Sequence, residues 1–200
     1  MPHKFNPAHM ARLESDERLR RQPPAGLLAA IGVRAGARMA DIGCGPGFYT
    51  LPAARLVGAA GRVFALDLQE PMLARVREKA AAESLGNVEV HLSEEDRLPL
   101  PDGTADVALV ANVLHECTDR VAFLREVRRI LVPGGRVAVI EWRREPMEMG
   151  PPLAERIGAD VVEAALADAC FTGAVAVDPT ALGATHYGLL ATVGTDPATA

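Results

Sequence analysis

The chain reads as an α/β protein, a doubly wound and mostly parallel sheet of seven strands finished by a C-terminal antiparallel hairpin. Three observations carry that reading. Short apolar or β-branched runs recur at residues 38–42, 62–67, 88–92, 106–111 and 136–141. Helix-period segments fall between most of them, at 49–57, 70–84 and 119–131, and this alternation builds right-handed crossovers and therefore parallel strands covered on both faces. Past residue 150 the order changes: a helix over 153–169 precedes two strand-like runs, 171–177 and 186–193, joined by a loop with Pro179 and Gly183. Two such runs in succession pair as a hairpin at the sheet edge.

Taken in order, residues 8–21 hold Met10, Leu13 and Leu19 among many charges, the pattern of one mostly solvated helix with a narrow apolar stripe. Pro23-Pro24 stops it, a second helix spans 25–31, and Gly32 and Gly36 mark the turn into the main domain. The first strand then runs into a glycine-rich turn and a helix. The second strand ends on Asp67, and Glu70 opens the next helix.

Composition narrows the function classes. Two hundred residues and 21.2 kDa, 49% hydrophobic and 24% charged, suit one globular domain with a small appendage. Every hydrophobic stretch is broken by Gly, Pro or a charge before a membrane span of roughly 18 residues is reached. The N-terminus, Met1-Pro2-His3-Lys4, leads into a charged stretch without the apolar core of a secretory signal, so a cytoplasmic location is expected. Cys44, Cys117 and Cys170 form no CxxC pair and predict reduced thiols; no metal site is expected. Residues 145–200 carry eight acidic side chains against one basic one, Arg156, within a net charge of -5. That acidic quarter would repel phosphate backbones, so a nucleic-acid partner is not expected.

The sharpest motif is Met39-Ala40-Asp41-Ile42-Gly43-Cys44-Gly45-Pro46-Gly47-Phe48, where the first strand meets the first helix of the sheet. Glycines at alternate positions permit a tight turn and let a ligand approach the backbone with no Cβ in the way. A dinucleotide fingerprint, GxGxxG, would place its third glycine where Phe48 stands, which argues against a pyrophosphate cofactor. Asp67, 20 residues past Gly47 at the end of the second strand, lies where an acid can accept hydrogen bonds from both hydroxyls of a ribose. The competing reading of Asp67 is a simple cap for the helix opening at Glu70.

With these pieces in hand, the chain resembles the class I S-adenosylmethionine-dependent methyltransferases. The resemblance rests on Asp41-Ile42-Gly43-Cys44-Gly45-Pro46-Gly47, Asp67 followed by Pro71-Met72, Leu98-Pro99-Leu100-Pro101-Asp102-Gly103 with Asp106-Val107, Val113-Leu114-His115-Glu116, and Leu131-Val132-Pro133-Gly134-Gly135. Within that family it is most similar to small-molecule enzymes of the ubiquinone and menaquinone biosynthesis type. The resemblance implies a Rossmann-like fold, S-adenosyl-L-methionine as cofactor, a small-molecule methyl acceptor, and two parts: residues 1–35 as an N-terminal helical lid and 36–200 as the cofactor-binding domain.

It also implies residue roles. Gly43, Cys44, Gly45 and Gly47 would line the methionine part of the cofactor, with Asp41 holding its amino group directly or through water. Asp67 would bind the ribose, and Leu68 and Met72 would flank the adenine. Glu94-Glu95 stand where the family often carries an Asp-Ala pair against the adenine edge, and which of the two carboxylates reaches it stays open. Asn112 would offer its backbone carbonyl to the cofactor's ammonium.

Methyl transfer from a sulfonium is an in-line displacement that depends mostly on positioning and exclusion of water. A base is needed only when the acceptor loses a proton. His115, just past the fourth strand, is the candidate catalytic residue, with a pocket wall and a structural histidine as the alternatives. Tyr49 is either a ring near the sulfonium or a core aromatic. Trp142, the single tryptophan, is either an acceptor-pocket wall or packing beneath Gly150-Pro151-Pro152. Phe5, His9 and Met10 belong to the expected lid, whose alternative is an amphipathic helix packed on the sheet edge or on a second subunit. Arg18, Arg20 and Arg21 read as a solvated charged face, with steering of an anionic substrate as the other account. The alternative functions are a nicotinamide-dependent oxidoreductase on a similar sheet and a non-catalytic cofactor-binding protein.

Overall fold

The computed structural model describes residues 5–6 and 10–194. Its strands are β1 (Arg38–Ile42), β2 (Arg62–Asp67), β3 (Val88–Leu92), β4 (Ala105–Ala111), β5 (Leu131–Trp142), β6 (Phe171–Ala176) and β7 (His186–Val193). They form one sheet in the order β3-β2-β1-β4-β5-β7-β6. The first five pair in parallel, whereas β7 runs antiparallel to both β5 and β6. The expected hairpin is present with its second strand on the inside, so β6 forms the edge.

The central strands are apolar without alternation because both of their faces are covered. On one face Ala40, Ile42, Ala108, Val110, Val137 and Val139 pack under α6 (Arg120–Ile130) and α7 (Ala159–Asp168). On the other, Met39, Val63, Val107, Leu109 and Ile140 pack under α3 (Pro24–Ala30) and α4 (Thr50–Val57). A third helix of the sheet, α5 (Glu70–Ala82), closes over Cys44, Ala65 and Leu51 with Leu73, Val76 and Ala80. Asp119 caps α6 by accepting the Val121 and Ala122 backbone amides at 3.1 and 2.9 Å.

Three expected elements change. The single helix over 8–21 is two in its described part, α1 (Met10–Leu13) and α2 (Asp16–Arg21), because the Ser15 hydroxyl caps a new helix at the Arg18 amide. The helix over 153–169 opens with a separate 3-10 turn, Leu153–Glu155, and α7 starts only after the extended Gly158. Between them the buried Arg156 donates to the carbonyls of Pro151, Glu145 and Met149 at 2.9, 2.6 and 2.7 Å, which holds this stretch out of the helix. The fifth strand begins at Leu131, where that residue pairs with Ala105 across a register shift.

The strand order reverses between β1 and β4, and in open α/β sheets the crevice outside the carboxyl ends at such a point is where ligands bind. The N-terminal segment crosses that crevice. Glu14 ties it to α5 through Arg75 and Lys79, both at 3.0 Å, and the Gln69 side chain donates to the Phe5 carbonyl at 2.9 Å. Among the described residues no helix is long and apolar enough to cross a membrane.

Candidate active site

A cavity of about 950 Å³ opens at the carboxyl ends of the parallel strands, at the upper end of the roughly 300–1,000 Å³ usual for small-molecule sites. Loops after β1, β2, β3 and β4 form one side of it. Residues of α2, the end of β5 and the start of β7 form the other.

The first side starts from the glycine turn. Gly43 and Gly45 take φ of +69° and +53°, conformations that disfavour a side chain, and both line the cavity with Cys44. A Cβ on Gly43 would stand 2.2 Å from Val113, while one on Gly45 would meet only Leu13 of α1, at 3.6 Å. Gly45 therefore leaves a cradle with N-terminal segment on its far side. Gly47 does not line the cavity as expected. Its φ of +87° turns the chain away, and its Cα faces Val76 and Leu51 instead.

Beneath the turn, the buried Asp41 accepts the Thr50 hydroxyl at 2.6 Å. Burial pushes its pKa up to about 6, with the neighbouring Asp67 adding to the rise against Thr50 and Arg18. Asp67 accepts the backbone amides of Gly45 and Gln69, one on each oxygen at 2.9 Å. The Gly45 bond spans the two strands, so Asp67 does more than cap a helix; burial raises its pKa against those bonds. Each of its oxygens keeps a lone pair for another donor.

Leu68, Met72, Glu94, Glu95 and Asn112 line the same side. Leu68 is half-exposed and Met72 buried. Glu94 is exposed, whereas Glu95 accepts the Thr118 amide. Asn112 sits at φ +60° with its side-chain oxygen buried and unpartnered. Burial, with Asp41 and Asp67 nearby, pushes the Cys44 thiol up, which keeps it protonated. Cys117 is buried as well, whereas Cys170 is exposed.

His115 lies between the two sides. Its Nδ1 is 2.7 Å from the Glu141 carboxylate, which also accepts the His115 backbone amide at 3.1 Å. Both side chains are nearly inaccessible, at 7% and 1%. Burial by itself would lower the His115 pKa, but the hydrogen bond and charge of Glu141, with Glu116 and Glu155 behind, hold it above the ordinary value. The sequence reading missed Glu141, although an acid ending a strand of buried apolar residues was a signal for it.

On the second side Trp142 packs against His186, ring centroids 4.2 Å apart. Gly150 presses on the indole so closely that a Cβ would stand 2.8 Å away. Trp142 is thus both a cavity wall and the packing surface for Gly150. Tyr49 likewise lies in the core and lines the cavity, with its hydroxyl unpartnered. Arg18 does not belong to a solvated face: it turns inward, its guanidinium 4.0 Å over the Phe48 ring. Phe5 and the α1–α2 segment reach the cavity, and His9 lies outside the described residues.

The family model for a methyltransferase domain matches residues 40–139. A solved S-adenosylmethionine-dependent methyltransferase from Aquifex aeolicus superposes with a TM-score of 0.89 at 34% identity, over 95% of this chain and 100% of that one. The chain belongs to the class I S-adenosylmethionine-dependent methyltransferase family. Membership displaces the nicotinamide-dependent alternative and makes S-adenosylmethionine the cofactor.

Two curated relatives are ubiquinone/menaquinone biosynthesis C-methyltransferases. That of Marinomonas sp. is 38% identical over 119 residues, 59% of this chain and 47% of the relative. That of Cronobacter sakazakii is 37% identical over 118 residues, 58% and 47%. The chain thus spans about half the length of these curated relatives. The cavity suits the cofactor: Asn112 presents a buried oxygen without a donor, and Gly45 leaves the space a side chain would fill.

Proposed function

We propose that the protein transfers a methyl group to a small-molecule acceptor that gives up a proton as it is methylated. The observation that carries the reading is His115, held between the glycine turn and the Trp142 side by Glu141. S-adenosylmethionine, when bound, supplies a methyl group on a good leaving group, so the side chains have little covalent work to do.

Gly43, Cys44 and Gly45 hold the methionine end by their backbone, and Asp41 takes its amino group directly or through water. Asp67 receives the ribose hydroxyls with its two free lone pairs. Leu68 and Met72 flank the adenine, the Glu94-Glu95 pair stands at its edge, and Asn112 accepts from the ammonium. Donation of the Nδ1 proton to Glu141 leaves a basic lone pair on Nε2 of His115 for the acceptor's proton. Residues 1–35 act as a lid over the 36–200 domain. Leu13 against Gly45 and the Glu14 bridges to α5 support that role, and closure excludes the water that competes for the methyl group. The three cysteines form no disulfide, which suits a reducing compartment, and on that ground the reaction belongs in the cytoplasm.

Calorimetry tests the cofactor site: S-adenosylhomocysteine should bind and NADH should not, and the reverse result would overturn the reading. Incubation with methyl-labelled S-adenosylmethionine and fractionated extract should then label a small molecule. Label appearing only in macromolecular fractions would contradict it.

A further inference from the structure

The cavity also holds buried polar groups that nothing among the described residues satisfies. Nε2 of Gln22, Nε2 of His186 and the hydroxyl of Tyr49 are each without a partner. These residues are 4%, 4% and 3% exposed and line the cavity from three separate elements: the C-terminal end of α2, the start of β7 and the residue before α4. An unpaired buried donor is costly, and Gln22 and His186, lining one cavity from neighbouring segments, mark a site shaped for a hydrogen-bond acceptor. The C-terminal end of α2, which carries Gln22, and the loop before β7, which leads into His186, approach closely, since a Cβ on Gly183 would strike the Arg21 carbonyl at 2.6 Å.

The charge that bears on His186 is positive. Burial, with Arg18, Arg21, Arg143 and Arg156 adding to it, pushes the His186 pKa down to about 3, so the ring is neutral. Thr185 sits 2.9 Å from Nδ1; with its hydroxyl donating there, Nε2 carries the proton and faces the cavity as a donor. Arg18 donates to the Leu13 carbonyl and covers Phe48. The carboxylates on this side are Glu17, taken up by Arg21 at 3.7 Å, and the exposed Glu148 and Glu155. A cationic acceptor would be repelled here, and an anion would complete both the hydrogen bonds and the charge.

We propose that the methyl acceptor carries a carboxylate, bound between Gln22 and His186 in the field of Arg18 and Arg21. This rests on the methyl-transfer reading and narrows it to a substrate class. A carboxylate could instead come from the methionine part of the cofactor, and the test separates the two sources.

The protein is saturated with S-adenosylhomocysteine and titrated with benzoate, benzamide and benzylammonium, matched in body and different in charge. Benzoate should bind at least tenfold more tightly than benzamide, and benzylammonium should not bind. Gln22→Leu and His186→Phe, the latter keeping a ring against Trp142, should each reduce the benzoate advantage to within about twofold while affinity for S-adenosylhomocysteine holds. Benzoate binding no tighter than benzamide, including no binding of either, overturns the proposal in the wild-type protein, whatever the variants do. Variants that weaken S-adenosylhomocysteine by the same factor assign the cluster to the cofactor and also overturn it. Failure of S-adenosylhomocysteine to bind at all would instead sink the methyl-transfer reading.

Discussion

The two sides of the cavity are built from different materials. The glycine side is made by consecutive strand ends of a parallel sheet, with backbone turns at Gly43 and Gly45 and carboxylates at Asp41 and Asp67 that lie close to their own strands. The Trp142 side is assembled from residues remote in sequence, with Gln22, Trp142 and His186 lining one cavity and arginines bearing on His186. The first can be rebuilt on any chain with the same strand-turn-helix junction. The second depends on how the N-terminal segment and the terminal hairpin happen to pack, so it is the side on which acceptor choice can vary while the cofactor stays the same.

His115 stands where the two sides meet, and removing it should cost most. His115→Ala is expected to lower turnover about a thousandfold with the identified acceptor, with S-adenosylhomocysteine affinity unchanged. Glu141→Gln should lower kcat about a hundredfold with little change in KM. The wild-type rate should rise with pH through the raised His115 pKa, as the base becomes neutral, and that inflection should move to lower pH in Glu141→Gln. An unmoved inflection would remove His115 from the reaction.

On the glycine side, Asp67→Ala should weaken S-adenosylhomocysteine on the order of 100-fold by calorimetry, the loss of two hydrogen bonds to a charged group. Unchanged affinity would contradict the ribose assignment. The same His115–Glu141 pair also links stability to pH. Because the His115 pKa is raised on folding, its stabilisation is complete below the unfolded value of about 6.5 and is lost as pH rises through the folded one. Denaturant titrations at several pH values should show this slope in the wild type and a flatter one in Glu141→Gln.

Gly43→Ala should cost about 2 kcal/mol in chemical denaturation, since φ of +69° and the approach to Val113 both oppose a side chain. At the opposite end of the strands, Asp106→Ala removes an exposed pair with Arg38 at 2.7 Å. It should change stability by less than about 1 kcal/mol, and leave S-adenosylhomocysteine affinity unchanged.

Much of this was legible before folding. The parallel strands announced themselves as apolar runs because a strand covered on both faces has no solvated side to alternate with, as at Val107–Leu109. Asp67 stood out because an acid ending such a run needs a reason to be there, and Asp41 through the motif it shares with the family. Residues 8–21 read as one helix because only the Ser15 hydroxyl divides them into two, and the direction of Gly47 depends on Val76, which lies on another helix. Arg18 read as solvated because nothing in its neighbours along the chain shows that Phe48 lies beneath it.

The order of residues alone established the alternation of strands and helices, the glycine turn and the acid beside it, local signals carried by side-chain periodicity and by the backbone freedom of glycine. The cofactor came from the family that those motifs resemble and to which the chain belongs. Only the folded chain decided that Glu141 would hold His115, that Gly150 would rest on Trp142, and that Gln22 would line the same cavity as His186. These groupings join segments up to 164 positions apart, and their partners are chosen by how the sheet twists and the helices settle on it, which periodicity does not encode.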